Sequence, residues 1–368
     1  MVISSFCFIF TFIIFCFYYT SYFLYLLFYF SYDDNSFSRG SNNYLKGKQS
    51  QIHNPLLPNL TIGTTKCEKR MIESAKYIKS THKHNAQKFL QERYHYFGKN
   101  QYKQNSIEAL HFVFSCLSGA LINKKSCSPF SQNFQNLMKN LPKYYVPSQF
   151  PKLPEVFYFE HGLRSADQRI LEYIKERDIL DIGAFYGDSA YVLQNRTNQH
   201  IISYEFSPEN VETFHQNAKL LNFNMTQHII IPKGLSNEKS IMKVGNCHAS
   251  NCNLKSRNGS QTVEISTVDE EMKNSSYKIG FVKIDAEGYT YKIIKGGFET
   301  FKRDRPVFAV SIYHNYEEMF GTYDLIDSLS NYYIEFQTQK KALDSFGELI
   351  LFAYPNEIFP NGINQSNN

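Results

Sequence analysis

Tryptophan is absent from this chain of 368 residues, although it contains 32 phenylalanines and 27 tyrosines. We interpret the imbalance as a bias in genomic base composition, so a stripe of aromatic residues carries little weight as a functional signal. The seven cysteines exclude a fully paired set of disulfides within one chain, because two lie in an apolar N-terminal segment and the other five are an odd number. No nucleic-acid-binding motif is present, and we predict no nucleic-acid partner.

Two further patterns are missing. The chain has no G-x-G-x-x-G turn, which the pyrophosphate of a dinucleotide requires after the first strand of its binding fold. This absence argues against a nicotinamide-dependent oxidoreductase. Cys247 and Cys252, with His248 between them, lack the fourth ligand and the second C-x-x-C pair of a structural zinc site. We therefore predict no metal centre there.

Residues 1–32 contain no charged side chain and are dense in Phe, Ile, Leu and Tyr. About 20 apolar residues span a bilayer, whereas a cleavable signal peptide has an apolar core of about 7–15 residues that ends in small residues. We therefore predict a single-pass membrane anchor. Lysine and arginine after the segment favour a cytosolic C-terminal side, but six N-glycosylation sequons leave an endomembrane lumen open.

The charge of the chain is divided between two regions. Residues 33–150 carry 17 lysines and arginines against 6 aspartates and glutamates, whereas residues 151–368 carry 22 against 28. Four prolines between positions 142 and 154 mark a boundary. We predict three parts: a transmembrane anchor over 1–32, a basic linker and helical stem over 33–150, and a catalytic domain over 151–368.

The stretch from Ile179 to Asp188 is the most informative feature of the chain. It predicts a buried strand, a turn that contains Gly183 and Gly187, and the start of a helix. The open D-x-G-x-x-x-G spacing, with Asp181 at its base, suits the amino-acid end of S-adenosylmethionine better than a pyrophosphate. A second apolar run ends in Glu205, 24 residues after Asp181, where an acid can accept hydrogen bonds from both hydroxyls of a ribose.

Strand patterns alternate with helical patterns from residue 179 onward. This alternation favours a mostly parallel sheet with its functional groups at the carboxyl ends of the strands. Five polar residues end or directly follow predicted strands: Asp181, Glu205, Asp285, Glu287 and His314. We therefore expect these side chains to meet at one edge of the sheet.

Several ordered motifs over about residues 155–355 resemble the FkbM-type family of S-adenosylmethionine-dependent methyltransferases. They are F-Y-F-E-H-G-L at 157–163, D-I-G-A-F-Y-G-D-S at 181–189, Y-E-F-S-P at 204–208, V-K-I-D-A-E-G-Y at 282–289 and S-I-Y-H at 311–314. The fourth motif departs from the usual K-I-D-V-E-G-A-E, because Ala286 replaces Val and Tyr289-Thr290 replaces Ala-Glu. The resemblance implies a Rossmann-like class I α/β fold, with helices on both faces of a seven-stranded, mostly parallel sheet whose last strand, 348–354, is antiparallel.

The resemblance and the strand-end positions together assign roles to the candidate residues. Asp181 is expected to hold the methionine ammonium of S-adenosylmethionine, directly or through water, and Glu205 the ribose. The cofactor-binding set is Asp181, Gly183, Gly187, Glu205 and Asp285, and the catalytic candidates are Asp285, Glu287 and His314. The sequence does not decide which of these three is the general base. As an alternative role, the three side chains bind a divalent cation together. Lys283 is expected to pair with a buried acid and His161 to line the acceptor mouth.

These observations predict a membrane-anchored methyltransferase that transfers a methyl group from S-adenosylmethionine to a hydroxyl of a glycan, a glycolipid or a similar small molecule. One alternative is a non-catalytic, membrane-tethered binding protein on the same fold. The other is a nicotinamide-dependent oxidoreductase. Acceptor specificity is expected in the loops at 158–163, 247–260 and 314–323.

Overall fold

The computed structural model describes residues 66–99, 101, 103–122, 135–136, 139–244, 261–339, 348–360 and 362, all of which belong to the unit Asn59–Asn368. The predicted anchor over 1–32 and the predicted acceptor loop at 247–260 lie outside these residues. Among the helices that are described, none combines the length and the apolar character needed to cross a bilayer. The anchor therefore stays a prediction.

The strands of the described residues form two sheets. In chain order they are β1 (Asp178–Ile182), β2 (Ile201–Tyr204), β3 (His228–Ile231), β4 (Gly234–Leu235), β5 (Ser240–Val244), β6 (Gln261–Ser266), β7 (Ile279–Ile284), β8 (Val307–Ser311), β9 (Tyr332–Thr338) and β10 (Leu349–Pro355). The larger sheet has seven strands in the order β3-β2-β1-β7-β8-β10-β9, and β10 runs antiparallel to β8 and β9. The predicted seven-stranded sheet with its antiparallel last strand is confirmed.

The strand order reverses direction between β1 and β7. From β1 the chain proceeds outward through β2 to β3, and it then returns to add β7 on the other side of β1, with parallel pairing throughout. In open α/β sheets a ligand binds in the crevice outside the carboxyl ends of the strands at such a reversal. The fold thus places Glu205 and Asp285 around one crevice, with Asp181 buried beneath it.

Helices cover both faces of the sheet. They are α1 (Lys66–His82), α2 (Ala86–Gly98), α3 (Gln104–Leu121), α4 (Pro154–Phe157), α5 (Gln168–Lys175), α6 (Asp188–Leu193), α7 (Pro208–Leu220), α8 (Val268–Met272), α9 (Thr290–Gly296), α10 (Phe298–Asp304) and α11 (Thr322–Ser328). Successive residues of β7 belong to different apolar clusters: Val282 packs with α1–α3 and α9, and Phe281 with α5–α7. This alternation explains why the strand is apolar at nearly every position.

The helices of the predicted stem pack against the sheet. Ile78 of α1 and Leu117 of α3 are completely buried, and Phe97 of α2 stacks on Tyr323 with ring centroids 4.0 Å apart. The hydroxyl of Ser106 on α3 donates a hydrogen bond to the Phe336 carbonyl on β9 over 2.7 Å. The part of the predicted stem that the structure describes therefore shares its core with the domain that follows residue 150.

A second, three-stranded sheet in the order β4-β6-β5 is inserted between β3 and β7. Leu235 of β4 lies in the same apolar cluster as Val268 and Ile293, so this sheet is joined to the side of the main one. Its short strands have no long apolar run that would mark them in the sequence. The insertion brings Lys233, Gly234 and Leu235 to the crevice at the carboxyl end of β3.

Candidate active site

A cavity of about 530 Å³ opens at the carboxyl ends of β1, β2, β7 and β8. This volume is in the range of pockets that hold cofactors and small ligands. Four of the predicted site residues line the cavity: Gly183, Glu205, Asp285 and Glu287. Asp181, Gly187 and His314 are not part of its wall.

The turn after β1 depends on glycine at two positions. Gly183 has φ of +77°, and a Cβ there would lie 2.1 Å from the Asp285 carbonyl oxygen. Gly187 has φ of +84°, and a Cβ there would lie 2.4 Å from the Phe214 ring. A side chain at either position is excluded both by backbone conformation and by contact. Gly183 thus lets the ends of β1 and β7 approach each other at the cavity wall.

Glu205, directly after β2, is buried and fixed by backbone donors. Its Oε2 accepts from the Phe185 N–H over 3.0 Å and its Oε1 from the Ser207 N–H over 2.8 Å. Burial raises the pKa of this carboxyl, and the two backbone donors partly oppose the shift. Each oxygen keeps acceptor capacity toward the cavity, so the position suits the predicted contact with ribose hydroxyls.

Asp181 lies in an ion pair below the cavity. Its Oδ1 is 3.2 Å from Nζ of Lys283, which also donates to the Gly183 carbonyl over 2.7 Å. Burial alone lowers the pKa of Lys283, but the charges of Asp181, Asp285 and Asp188 outweigh it and the pKa is raised. The expectation that Lys283 pairs with a buried acid is confirmed. The geometry does not place Asp181 on the cavity wall for a direct contact with an ammonium group.

Asp188 lines the cavity wall, whereas Asp181 does not. It is buried at the start of α6, and burial raises its pKa to about 6, with the charge of Lys283 opposing and that of Asp181 adding to the shift. Sequence analysis missed it as a site residue, although it directly follows Gly187 of the motif. Beside it, Nε2 of His161 lies 3.0 Å from the Ser189 hydroxyl, and His161 lines the cavity as expected.

Asp285 lies on the cavity wall with part of its carboxylate buried against His314. Its Oδ1 is buried and makes no hydrogen bond, but it lies 4.0 Å from Nε2 of His314. The side chain as a whole keeps 36% of its surface accessible. Burial raises the pKa of this carboxyl; the charges of His314 and Lys283 lower it, and that of Glu287 raises it. A carboxylate that is partly accessible on the cavity wall can be reached by a ligand, as a proton-accepting group requires.

Glu287 is held by a residue from outside the strand-end motifs. Its Oε2 accepts a hydrogen bond from Nη2 of Arg70 on α1 over 2.9 Å. The backbone of Glu287 has φ of 45°, an uncommon conformation for a residue with a side chain. The ion pair therefore fixes a carboxylate that already lies in a constrained turn.

His314 stands behind the two carboxylates. Its Nε2 has no hydrogen-bond partner and lies 3.6 Å from Oε2 of Glu287 and 4.0 Å from Oδ1 of Asp285. Its Nδ1 lies 2.8 Å from Oε2 of the fully buried Glu318. Burial lowers the pKa of His314, but the hydrogen bond to Glu318 and the three surrounding carboxylates outweigh it, so the pKa is raised. The charge of a protonated imidazole here favours the ionised form of Asp285 and opposes the rise in its pKa that burial causes.

Carboxyl groups dominate the wall of the cavity. Two lysines line it, but Lys233 is paired with Glu264 and Glu271, and Lys283 with Asp181. Against them stand six acids: Glu155, Asp188, Glu205, Asp285, Glu287 and Glu348. A wall rich in carboxyl groups fits a cationic cofactor such as S-adenosylmethionine, whose sulfonium group is positively charged. Within the described residues no group of three or more His, Cys, Asp or Glu side chains is arranged to hold a metal ion.

A comparison with protein families agrees with this geometry. The family described as Methyltransferase FkbM domain matches residues 181–352. The chain carries an FkbM-type methyltransferase domain. S-adenosylmethionine is the cofactor of this type of domain, and the acid-lined cavity fits it. All the predicted catalytic and cofactor-binding residues fall inside the matched range, whereas His161, predicted to line the acceptor mouth, and Arg70 precede it.

The fold is similar to that of a solved methyltransferase structure. The methyltransferase FkbM from Methylobacillus flagellatus KT is 13% identical over 73% of this chain, with a TM-score of 0.50, and this chain covers 60% of that protein's length. An O-methyltransferase from Bacillus cereus in complex with SAH is 14% identical, over 61% of this chain and 91% of that one, with a TM-score of 0.35. No curated protein matches the chain.

Proposed function

We propose that the protein is a membrane-anchored, S-adenosylmethionine-dependent methyltransferase that methylates a hydroxyl of a glycan or glycolipid. The observation that carries the proposal is the carboxylate of Asp285, whose side chain keeps 36% of its surface accessible on the wall of an acid-lined cavity. A hydroxyl must lose its proton as it attacks, and this carboxylate is in position to accept it.

The residues around the turn after β1 bind and orient the cofactor. Glu205 accepts the ribose hydroxyls, and Asp188 provides the negative charge for the ammonium group. Behind the wall, the Asp181–Lys283 pair holds the turn through the Gly183 carbonyl. When bound, S-adenosylmethionine supplies an electrophilic methyl group on sulfur. The contribution of the protein to this displacement is mainly positioning.

Asp285 is the proposed general base. The acceptor hydroxyl would give up its proton to Asp285 as its oxygen takes the methyl group that bound S-adenosylmethionine would supply, with S-adenosylhomocysteine as the leaving group. Glu287 is bound by Arg70, so its proposed role is to place an acidic side chain beside Asp285. His314 is a positioning residue, because its Nε2 faces both carboxylates and its Nδ1 is fixed by Glu318.

A methyl-transfer assay tests this assignment. The full chain is incubated with a glycolipid extract and S-adenosylmethionine that carries a label in its methyl group, and label in the glycolipid is measured. Asp285→Asn is expected to bind cofactor as the wild type does but to lose about 10²–10⁴-fold in turnover. His314→Gln is expected to shift the acid limb of the pH–rate profile upward, because the Asp285 carboxyl loses a neighbouring cation. Wild-type turnover in Asp285→Asn would refute its role as the base.

The anchor and a luminal catalytic domain are part of the same proposal. Residues 1–32 supply the apolar length, and Cys116 on α3 is disulfide-bonded, which supports an oxidising compartment. Carbonate extraction is expected to leave the full chain in the membrane pellet, and endoglycosidase treatment to increase its mobility. Release by carbonate would argue against the anchor, and an unchanged mobility against the lumen.

A further inference from the structure

Gln339, the residue after β9, has a buried carboxamide without any hydrogen bond. The residue is 1% exposed, and neither its Nε2 nor its Oε1 has a partner. It lies on the wall of the cavity. A buried donor and a buried acceptor that are both left unsatisfied destabilise a fold, and such groups call for an explanation. A ligand that offers both a donor and an acceptor would satisfy them.

The backbone holds Gln339 in place. Its N–H donates to the Glu348 carbonyl over 3.1 Å and continues the pairing of β9 with β10 past Thr338 and Leu349. Gln337, two residues earlier, differs: its Nε2 donates to Oε2 of Glu335 over 3.3 Å, and it does not line the cavity. The fold therefore satisfies one of two neighbouring buried glutamines and leaves the carboxamide of the other at the cavity.

Gln339 lies at the far side of the cavity from Asp285. The strands β8 and β10 separate β9 from β7, so the two backbones are three strand spacings apart, roughly 14 Å. Ser311, Tyr313 and Glu348 line the wall at the ends of the intervening strands. An acceptor that reaches from Asp285 to Gln339 is therefore longer than one sugar ring.

The chemistry of this side of the cavity selects against acidic acceptors. Glu348 lines the wall, and the Tyr313 hydroxyl donates to its Oε1 over 3.4 Å. Together with Asp285 and Glu287 it repels a carboxylate or a phosphate. A carboxamide provides both donors and acceptors, and a hydroxyl group likewise donates and accepts, so an uncharged polyol matches what Gln339 leaves unsatisfied.

We propose that Gln339 is an acceptor-binding residue that hydrogen-bonds the hydroxyl groups of an uncharged oligosaccharide whose reacting hydroxyl lies at Asp285. The proposal rests on the O-methylation proposed above. It adds the class of acceptor and the residue that recognises this acceptor.

The first test needs no ligand. In the full chain, Gln339→Met is expected to raise the melting temperature by about 2–4 °C, because it removes an unsatisfied buried carboxamide that is retained for binding. The matched variant Gln337→Met is expected to lower it by a similar amount, because it removes a bonded one. A fall for Gln339→Met equal to that for Gln337→Met would show that Gln339 is structural and overturn the proposal.

The second test uses saturation-transfer NMR on the full chain with cellobiose, maltose, lactose, N-acetyllactosamine and glucuronic acid. Transfer to at least one neutral disaccharide is expected in the wild type, with binding about tenfold or more weaker in Gln339→Met. Equal transfer in both proteins, transfer to glucuronic acid alone, or no transfer to any of these sugars would overturn the proposal. Calorimetry with S-adenosylmethionine on the same samples separates this failure from a failure of the proposed function, which would also abolish cofactor binding in the wild type.

Discussion

The guanidinium of Arg70 donates a hydrogen bond to Oε2 of Glu287 over 2.9 Å, across 217 residues of sequence. The same guanidinium lies 6.0 Å from the centroid of the Tyr313 ring, which also lines the cavity. Arg70 belongs to α1 and lies outside the range matched by the methyltransferase family. The helix α1 thus holds a residue of the cavity wall in place and also contributes to the core.

A double-mutant cycle on Arg70→Ala and Glu287→Gln measures this contact. Both side chains are less than one-third exposed, so we expect a coupling free energy of about 1 kcal/mol by urea unfolding, reduced at high salt. The exposed pair of Lys88 and Glu92 on α2 is the matched control. Its coupling is expected to stay within about 0.5 kcal/mol of zero. Equal coupling free energies for both pairs would mean that the Arg70–Glu287 contact is no stronger than an exposed surface ion pair.

Removal of either partner of the Asp181–Lys283 pair is expected to destabilise the fold. Asp181→Ala leaves the Lys283 ammonium buried without its nearest counterion, which costs about 3–5 kcal/mol of unfolding free energy. The double variant Asp181→Leu with Lys283→Met removes both charges and is expected to regain much of that loss. Chemical denaturation checks both. If Asp181→Ala were as stable as the wild type, the pair would contribute nothing to the fold.

The ends of several strands were predictable from the sequence because each strand is a run of apolar residues that stops at a polar one. Glu205 and Asp285 follow such runs and lie on the cavity wall. Arg70 and Gln339 gave no local signal, because their roles arise only when distant elements meet. The strand β9 was also missed, since its Glu335 and Gln337 are buried polar residues that break the apolar pattern. Glu335 is satisfied by Lys103 and Tyr354 from elsewhere in the chain.

Substitution of Gly183 tests whether the turn after β1 requires glycine at this position. Gly183→Ala is expected to destabilise the fold by more than about 2 kcal/mol and to weaken cofactor binding, because its Cβ would overlap the Asp285 carbonyl at a positive φ. Gly98→Ala on α2 is the control, since its Cβ would lie 3.7 Å from Leu110. Thermal melts and calorimetry compare the two, and similar melting temperatures would contradict the close packing of β1 against β7.

The raised pKa of Asp188 implies that the stability of the fold depends on pH. Its folded pKa is about 6 against an ordinary value of 3.8, so between these values the folded protein binds more protons than the unfolded one. Stability therefore falls as pH rises through this window. Asp188→Asn removes the effect and is expected to be more stable than the wild type by the order of 2 kcal/mol above pH about 6.5, with the difference vanishing near pH about 4. Urea unfolding at both ends measures it, and a constant difference would assign the stabilisation to another cause.

The most direct test of the account is calorimetry on the full chain in detergent with S-adenosylmethionine and, separately, NADH. We expect micromolar binding of S-adenosylmethionine and no heat from NADH. Glu205→Gln, shown to be folded by its melting curve, is expected to weaken the binding by about 10- to 100-fold, because hydrogen bonds to a charged group contribute about 1.5–3 kcal/mol. Binding of NADH alone would point to an oxidoreductase. Binding of neither ligand by the folded chain would contradict the methyltransferase account and favour a tethered, non-catalytic protein.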